Sequence, residues 1–240
     1  MHPRDCEWWE YKHHRNRSAV PLRCEKILSE LQTGSLDIGH GLRDTRPFHA
    51  EIFVNLTPPS QPYLAGNYRG SKGRCLKFLD VRVEGDQRIG SPAARVAAEM
   101  ANFNGSLLAQ GLKALEDAYA IPDASLPPEE KLNYVVKFAC RLLVQFLGIH
   151  PYANGNGHIG RLLVWFVLAK FEFWPREWPL DGHPPYNELL SRYRDGDEQP
   201  LEDFVFKAID GTASTPPSGS IPAEGRSGSN VTALGQLGSQ

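Results

Sequence analysis

Residues 149–161 read Ile-His-Pro-Tyr-Ala-Asn-Gly-Asn-Gly-His-Ile-Gly-Arg. Apolar helical sequence flanks this stretch on both sides, while its middle resists helix. Pro151 disfavours helical backbone at His150, which puts the histidine on a loop. Gly155-Asn156-Gly157 then opens an apolar run, Ile159 to Phe173, read as a helix. Glycines keep side chains off the backbone, and the first N–H groups of a helix have no intrahelical acceptor. They also sit at the positive end of the helix dipole, so a phosphate fits there. A histidine that exchanges a proton near neutral pH stands a few residues away. A base beside an anion cradle points to phosphoryl or nucleotidyl transfer.

Upstream of the loop, Pro127-Pro128-Glu129-Glu130 is a helix start: proline needs no donor there, and the acids complement the dipole. Leu132, Val135, Val136, Ala139, Leu142, Leu143 and Phe146 then cover most of the circumference, which predicts a central buried helix. Ser91-Pro92 reads as N-cap and N1 of a helix running to Tyr119, with Gly105 and Gly111 as weak points. Leu22, Ile27, Leu28 and Leu31 recur at helical spacing, and Gly34 suits the C′ position. Weaker helices are expected around Tyr186–Arg194 and Leu201–Ile209.

One segment departs from the helical pattern. Cys75 to Val83 mixes alternation with β-branched residues, and Glu84-Gly85-Asp86 suits a turn. It reads either as a short hairpin or as a connecting loop with strand character. A hairpin edge there could hold an extended peptide by strand addition.

Composition sets limits. The chain has 240 residues, 41% of them hydrophobic, enough for one substantial core with tails. A net charge of −2 provides no global basic field, so nucleic acid is not expected as a partner. Cys6, Cys24, Cys75 and Cys140 lack metal-site spacing and read as reduced thiols. The charged N-terminus lacks a secretory h-region, and the run Leu162–Ala169 is too short to span a membrane. A cytoplasmic protein without membrane association is expected. Trp8-Trp9 reads as a contact at the core edge. Half of residues 211–240 are Gly, Ser or Pro, which predicts a disordered tail.

His150 through Arg161, HPYANGNGHIGR, resembles the signature of the Fic (Fido) family, H-P-F-x-D/E-G-N-G-R-x-x-R. Ala65-Gly66-Asn67-Tyr68-Arg69-Gly70 also resembles the segment before that family's β-hairpin flap. The likeness covers roughly residues 48–208. It implies an all-α fold with a short β-hairpin flap, and transfer of a nucleoside monophosphate, usually AMP from ATP, to a Ser, Thr or Tyr hydroxyl of a target protein. His150 is then the general base, and Gly155, Asn156 and Gly157 form the anion hole. Arg161 holds the terminal phosphate, Tyr152 packs into the core, and Leu76, Lys77, Phe78 and Leu79 belong to the target-docking flap.

Two positions depart from the family pattern. Asn154 replaces the carboxylate that binds Mg²⁺, and a neutral amide oxygen is a weaker ligand for a hard cation. His158 replaces the first arginine of the phosphate pocket, removing a permanent charge and a bidentate fork. The resulting alternatives are a catalytically weak nucleotide- or phosphate-binding regulatory module, or transfer of a different phosphate-linked group. Family members are often held off by S/T-x-x-x-E-G/N. Ser220 to Gly225 satisfies that string, but Pro222 argues against the helix that carries it, so Glu224 is read as coincidence. A separate small antitoxin is the other possible source of such a motif. The expected organisation is an N-terminal extension with one helix (1–47), a Fic/Fido domain (48–208) and a disordered tail (209–240).

Overall fold

Helix α6, Pro128–Ile149, runs through the centre of the fold. The computed structural model describes residues 6, 9–71, 75–81, 88–180 and 186–211. The remaining helices are α1 (Ala19–Gln32), α2 (Ile38–Arg43), α3 (Arg46–Phe53), α4 (Ala93–Asn102), α5 (Ala109–Tyr119), α7 (Asn156–Lys170), α8 (Tyr186–Arg194) and α9 (Gln199–Asp210). Among the described residues there is no strand.

Pro128 occupies the first turn of α6, Glu129 and Glu130 follow it, and the predicted apolar set is buried apart from a partly covered Leu132. By length and hydropathy α6 could cross a membrane. Here it packs on α7 and also meets α4, α5, α8 and α9. The α6–α7 pair is the heart of the core: every residue of α7 from His158 to Ala169 is buried. The apolar run ends as helix at Lys170, short of Phe173.

Four expectations change. Ser91 is not the cap of α4; the Asp80 carboxylate accepts from Ala93 N–H at 2.6 Å, while the Ser91 hydroxyl bonds to Glu99. The long helix after it continues to Tyr119, but through a π-helical stretch, Phe103–Leu108, that contains Gly105. Residues 75–81 do not form a strand: Leu76–Phe78 is a 3-10 turn and 79–81 are irregular. The loop alternative therefore describes that part; residues 82–87, with the expected turn, lie outside the described residues. Finally, the first 47 residues carry two helices rather than one, and Trp9, Val20, Cys24, Ile27, Leu31 and Leu42 join the common core. Sequence periodicity could not reveal this, because their partners lie on α3, α7 and the motif loop.

The expectation of four reduced thiols is also corrected: Cys6 and Cys75 form a disulfide, whereas Cys24 and Cys140 are buried outside any disulfide. The two bonded cysteines are 69 positions apart, and the fold, not their spacing, brings them together. Disulfides are rare in the cytosol, so the cysteine argument for a cytoplasmic location falls. The predicted tail from residue 212 onward and Glu224 lie outside the described residues. At its near end α9 runs past residue 208 to Asp210, where Gly211 takes φ 75° as C-cap.

Candidate functional site

α6 ends on His150, whose backbone is left-handed at φ 53° and whose N–H still bonds to Phe146 O. Such a conformation is costly for a residue with a Cβ and persists only where neighbours fix it. Arg69 does much of the fixing. Its buried guanidinium donates to the carbonyls of His150 (2.8 Å), Leu79 (2.9 Å), Ser91 (2.9 Å) and Ile149 (3.0 Å). Its own N–H donates to Pro151 O at 2.7 Å. One cation thus ties the loop after α6 to the segments before and after residues 82–87. Burial lowers the Arg69 pKa to about 10, with Asp80 and Glu99 opposing the drop.

The His150 imidazole lies in this clamp, with Nδ1 buried and without a hydrogen-bond partner. Desolvation, then the Arg69 charge, lowers its pKa to about 4. The ring is therefore neutral at pH 7, the state in which it accepts a proton.

Across the loop, Gly155 is the N-cap of α7 at φ 76°, a conformation glycine adopts freely. A Cβ there would lie 2.2 Å from the Phe53 ring, so only glycine fits. His158 and Ile159 N–H turn back to Gly155 O, while the N–H groups of Asn156 and Gly157 precede any helical acceptor. Arg161, buried one turn on, donates Nε to Leu180 O at 2.6 Å. Its Nη1 lies 3.1 Å from where a Gly157 Cβ would sit. Glycine thus lets the guanidinium lie against the start of α7, which brings the expected cradle and cation together.

The Asn156 side chain has another task. Its Oδ1 accepts from Tyr152 N–H (2.8 Å) and its Nδ2 donates to Tyr152 O (2.9 Å), closing the loop on itself. Both ends of the Asn156 amide are thus engaged within the loop, which leaves its backbone N–H as its donor at the start of α7. Tyr152 is fully buried, with its hydroxyl 2.8 Å from Thr45 Oγ1 and its ring stacked on His49 at 3.9 Å. His49 accepts from Gly66 N–H at Nδ1 (2.8 Å), so Nε2 carries the proton donated to Asn154 O (2.9 Å). Burial lowers its pKa to about 3.

Both departures from the expected pattern meet the N-terminal segment. Asn154 donates Nδ2 to Trp9 O at 3.2 Å, and its Oδ1 accepts from Gly155 N–H at 2.6 Å. With its Oδ1 already accepting from Gly155 N–H, this neutral carboxamide is a poor ligand for a hard cation such as Mg²⁺. His158 is buried, with Nε2 3.4 Å from Tyr11 Oη and its ring edge-on to Tyr11 and Phe53. Trp9 is anchored by its indole N–H to Leu56 O at 2.7 Å. Of the expected flap residues, Leu76 is in the core, Leu79 is half-buried, and Lys77 and Phe78 are exposed.

Sequence reasoning missed His49 and Tyr11, and it marked Arg69 only as part of the segment that resembles the family's pre-flap stretch. Trp8-Trp9 was the one local signal for the N-terminal contact, and Trp9 does pack at the core edge; Trp8 lies outside the described residues.

The family model for the Fic/DOC family matches residues 48–168, half of the chain. The chain belongs to this family. A segment of 93 residues, 39% of the chain, is 28% identical to Protein adenylyltransferase Fic of Nematostella vectensis. The match covers 22% of that relative, so the chain spans about a fifth of its length. Among solved structures, a Fic domain containing signaling protein from Bacteroides thetaiotaomicron is similar at TM-score 0.48 and 19% identity, over 85% of this chain and 74% of that one.

Proposed function

We propose that this chain transfers a nucleoside monophosphate, AMP from ATP before other nucleotides, to a Ser, Thr or Tyr hydroxyl of a target protein. In that reaction the hydroxyl oxygen attacks the α-phosphorus, the bond to pyrophosphate breaks, and the hydroxyl proton passes to the His150 imidazole. The observation that carries the reading is the neutral His150, with an unpartnered buried Nδ1, across one short loop from the N-terminus of α7. A pKa near 4 makes a weak base by itself. The negative charge of a bound polyphosphate raises it, so base strength rises once nucleotide is in place. The N–H groups of Asn156 and Gly157 hold phosphate oxygens, and Arg161 supplies the opposing charge.

A second reading, a nucleotide- or phosphate-binding regulatory module, is favoured by the N-terminal contacts to Asn154 and His158, which engage both divergent positions. The test is incubation of the full chain with each α-labelled nucleoside triphosphate, with and without Mg²⁺ or Mn²⁺, scoring self- and protein labelling by mass. Label lost in His150→Ala while nucleotide still binds supports transfer. Binding without label from any nucleotide favours the regulatory module.

A further inference from the structure

A groove of about 940 Å³ runs along the face of α6 turned toward α5 and α8, away from the packing with α7. Gly111 lets the Phe138 ring seat directly against α5 as part of the groove wall, since an added Cβ would lie 2.0 Å from the ring. Lys137 and Arg141 stand on its exposed side one turn apart, and Arg194 of α8 joins them. Arg88 closes the rim, held by Asp195 at 2.5 Å and Ser191 at 3.3 Å. Glu198 is the one carboxylate among the described residues that line it. With Arg88 matched by Asp195, the cations Lys137, Arg141 and Arg194 against Glu198 still leave the groove positive on a chain whose net charge is −2. Tyr134 and Tyr193 add aromatic walls.

We infer that this groove docks an extended, acidic segment of the protein that presents the hydroxyl, and thereby sets target choice. Its role in target choice rests on the transfer reading above; its ligand chemistry does not. The groove reaches Gly148, two residues before His150, and Gly148 O is tied to Gly90 N–H at 2.9 Å. From Tyr134 to Gly148 the helix rises about 21 Å, the length of roughly six extended residues. Lys137 and Arg141 are about 6 Å apart along the axis, close to the i, i+2 spacing of same-face side chains on an extended chain. Carboxylates at alternate positions therefore meet successive cations. Phosphate diesters are the weaker match, because mid-helix N–H groups are already bonded and the groove supplies no backbone donors comparable to those at α7.

The test uses the full chain and a fluorescein-labelled six-residue peptide of alternating glutamate and serine, with a lysine–serine peptide as control. Fluorescence anisotropy should register the glutamate peptide alone, with affinity falling as salt rises. Lys137→Gln/Arg141→Gln should weaken that binding at least tenfold while ATP binding and the thermal transition stay as in the parent. Arg141→Gln by itself should give an intermediate loss. Equal binding of both peptides, undiminished binding by the double variant, or displacement of the peptide by a single-stranded oligonucleotide overturns the proposal. Nucleotide labelling of proteins without any peptide binding also overturns it. Peptide binding without any nucleotide transfer upholds the groove and overturns the transfer reading alone.

Discussion

The hydroxyl of Tyr11 lies 3.4 Å from Nε2 of His158, across 147 positions of sequence. Two residues earlier, Trp9 O accepts from Asn154 Nδ2. The two motif positions that differ from the family pattern are thus both contacts for one N-terminal strap. Trp9 and Tyr11 also pack against Phe53, at 5.7 and 5.1 Å between ring centroids, and Phe53 in turn abuts Gly155. Divergence at Asn154 and His158 therefore has a packing consequence whatever its effect on phosphate chemistry.

Tyr11→Phe keeps the ring and removes the hydroxyl. Loss of one such buried hydrogen bond costs about 1 kcal/mol, a drop of roughly 2–4 °C in Tm for a domain of this size. Because His158 is then less constrained, triphosphate affinity should rise severalfold in calorimetric titration. A fall in affinity would mean that Tyr11 belongs to the ligand's own site.

The strap is tied down by the Cys6–Cys75 disulfide, next to the Leu76–Phe78 turn. Closing a loop of 69 residues restricts the unfolded chain by about 4 kcal/mol in the chain-entropy account. Dithiothreitol should therefore lower the unfolding free energy of the parent by up to that amount, read as the fall in guanidinium midpoint multiplied by m, and Cys6→Ser should lower it equally without the reductant. Superimposed oxidised and reduced curves, or a native mass lacking the loss of two hydrogens, would remove the bridge from the solution structure.

Much of α6, α7 and their loop was legible because their signals are local. Helical periodicity, Pro128 at a helix start, Pro151 after His150 and the Gly-Asn-Gly turn all act within a few residues. What escaped is long-range. Arg69 gains its role only because carbonyls from Leu79, Ser91 and the end of α6 converge on it. Asp80 displaces Ser91 as the cap of α4 because tertiary packing brings its carboxylate to Ala93 N–H, where a local pattern favours serine. Alternation over residues 75–81 suggested a strand, yet burial of Leu76 and the Gly70 N–H to Leu76 O bond (2.6 Å) turn that chain into a loop.

Acid should weaken the fold in a defined window. His49 and His150 titrate at about 3 and about 4 in the folded chain, below the ordinary 6.5, chiefly through burial. Between those values and 6.5 the unfolded chain binds more protons, so stability rises with pH there. It is intact above about pH 6.5 and is lost progressively as pH falls toward 4. Protonated His49 would also lose its acceptor for Gly66 N–H. Urea midpoints at pH 7, 6, 5 and 4.5 should fall stepwise, and His49→Gln should flatten the profile. A flat parent profile would mean that these histidines stay as easily protonated folded as unfolded.

The two loop glycines should separate folding from ligand binding. Gly155→Ala places a Cβ on left-handed backbone and into the Phe53 ring at 2.2 Å. The conformational cost of about 1–2 kcal/mol adds to about 1–3 kcal/mol of overpacking, so the variant should melt well below the parent. Gly157 is different: it is helical, and its nearest neighbour is the Arg161 guanidinium at 3.1 Å, the far end of a flexible side chain. Alanine favours helix over glycine by up to about 1 kcal/mol, so Gly157→Ala should hold or slightly raise the Tm. The displaced guanidinium should nevertheless weaken triphosphate binding more than monophosphate binding, since Arg161 is assigned to the terminal phosphate. Thermal melts and calorimetry with ATP, ADP and AMP measure both effects on the same samples. If Gly157→Ala binds all three as the parent does, the proximity of Arg161 to the start of α7 has no part in nucleotide recognition, and the anion-site assignment at this loop fails.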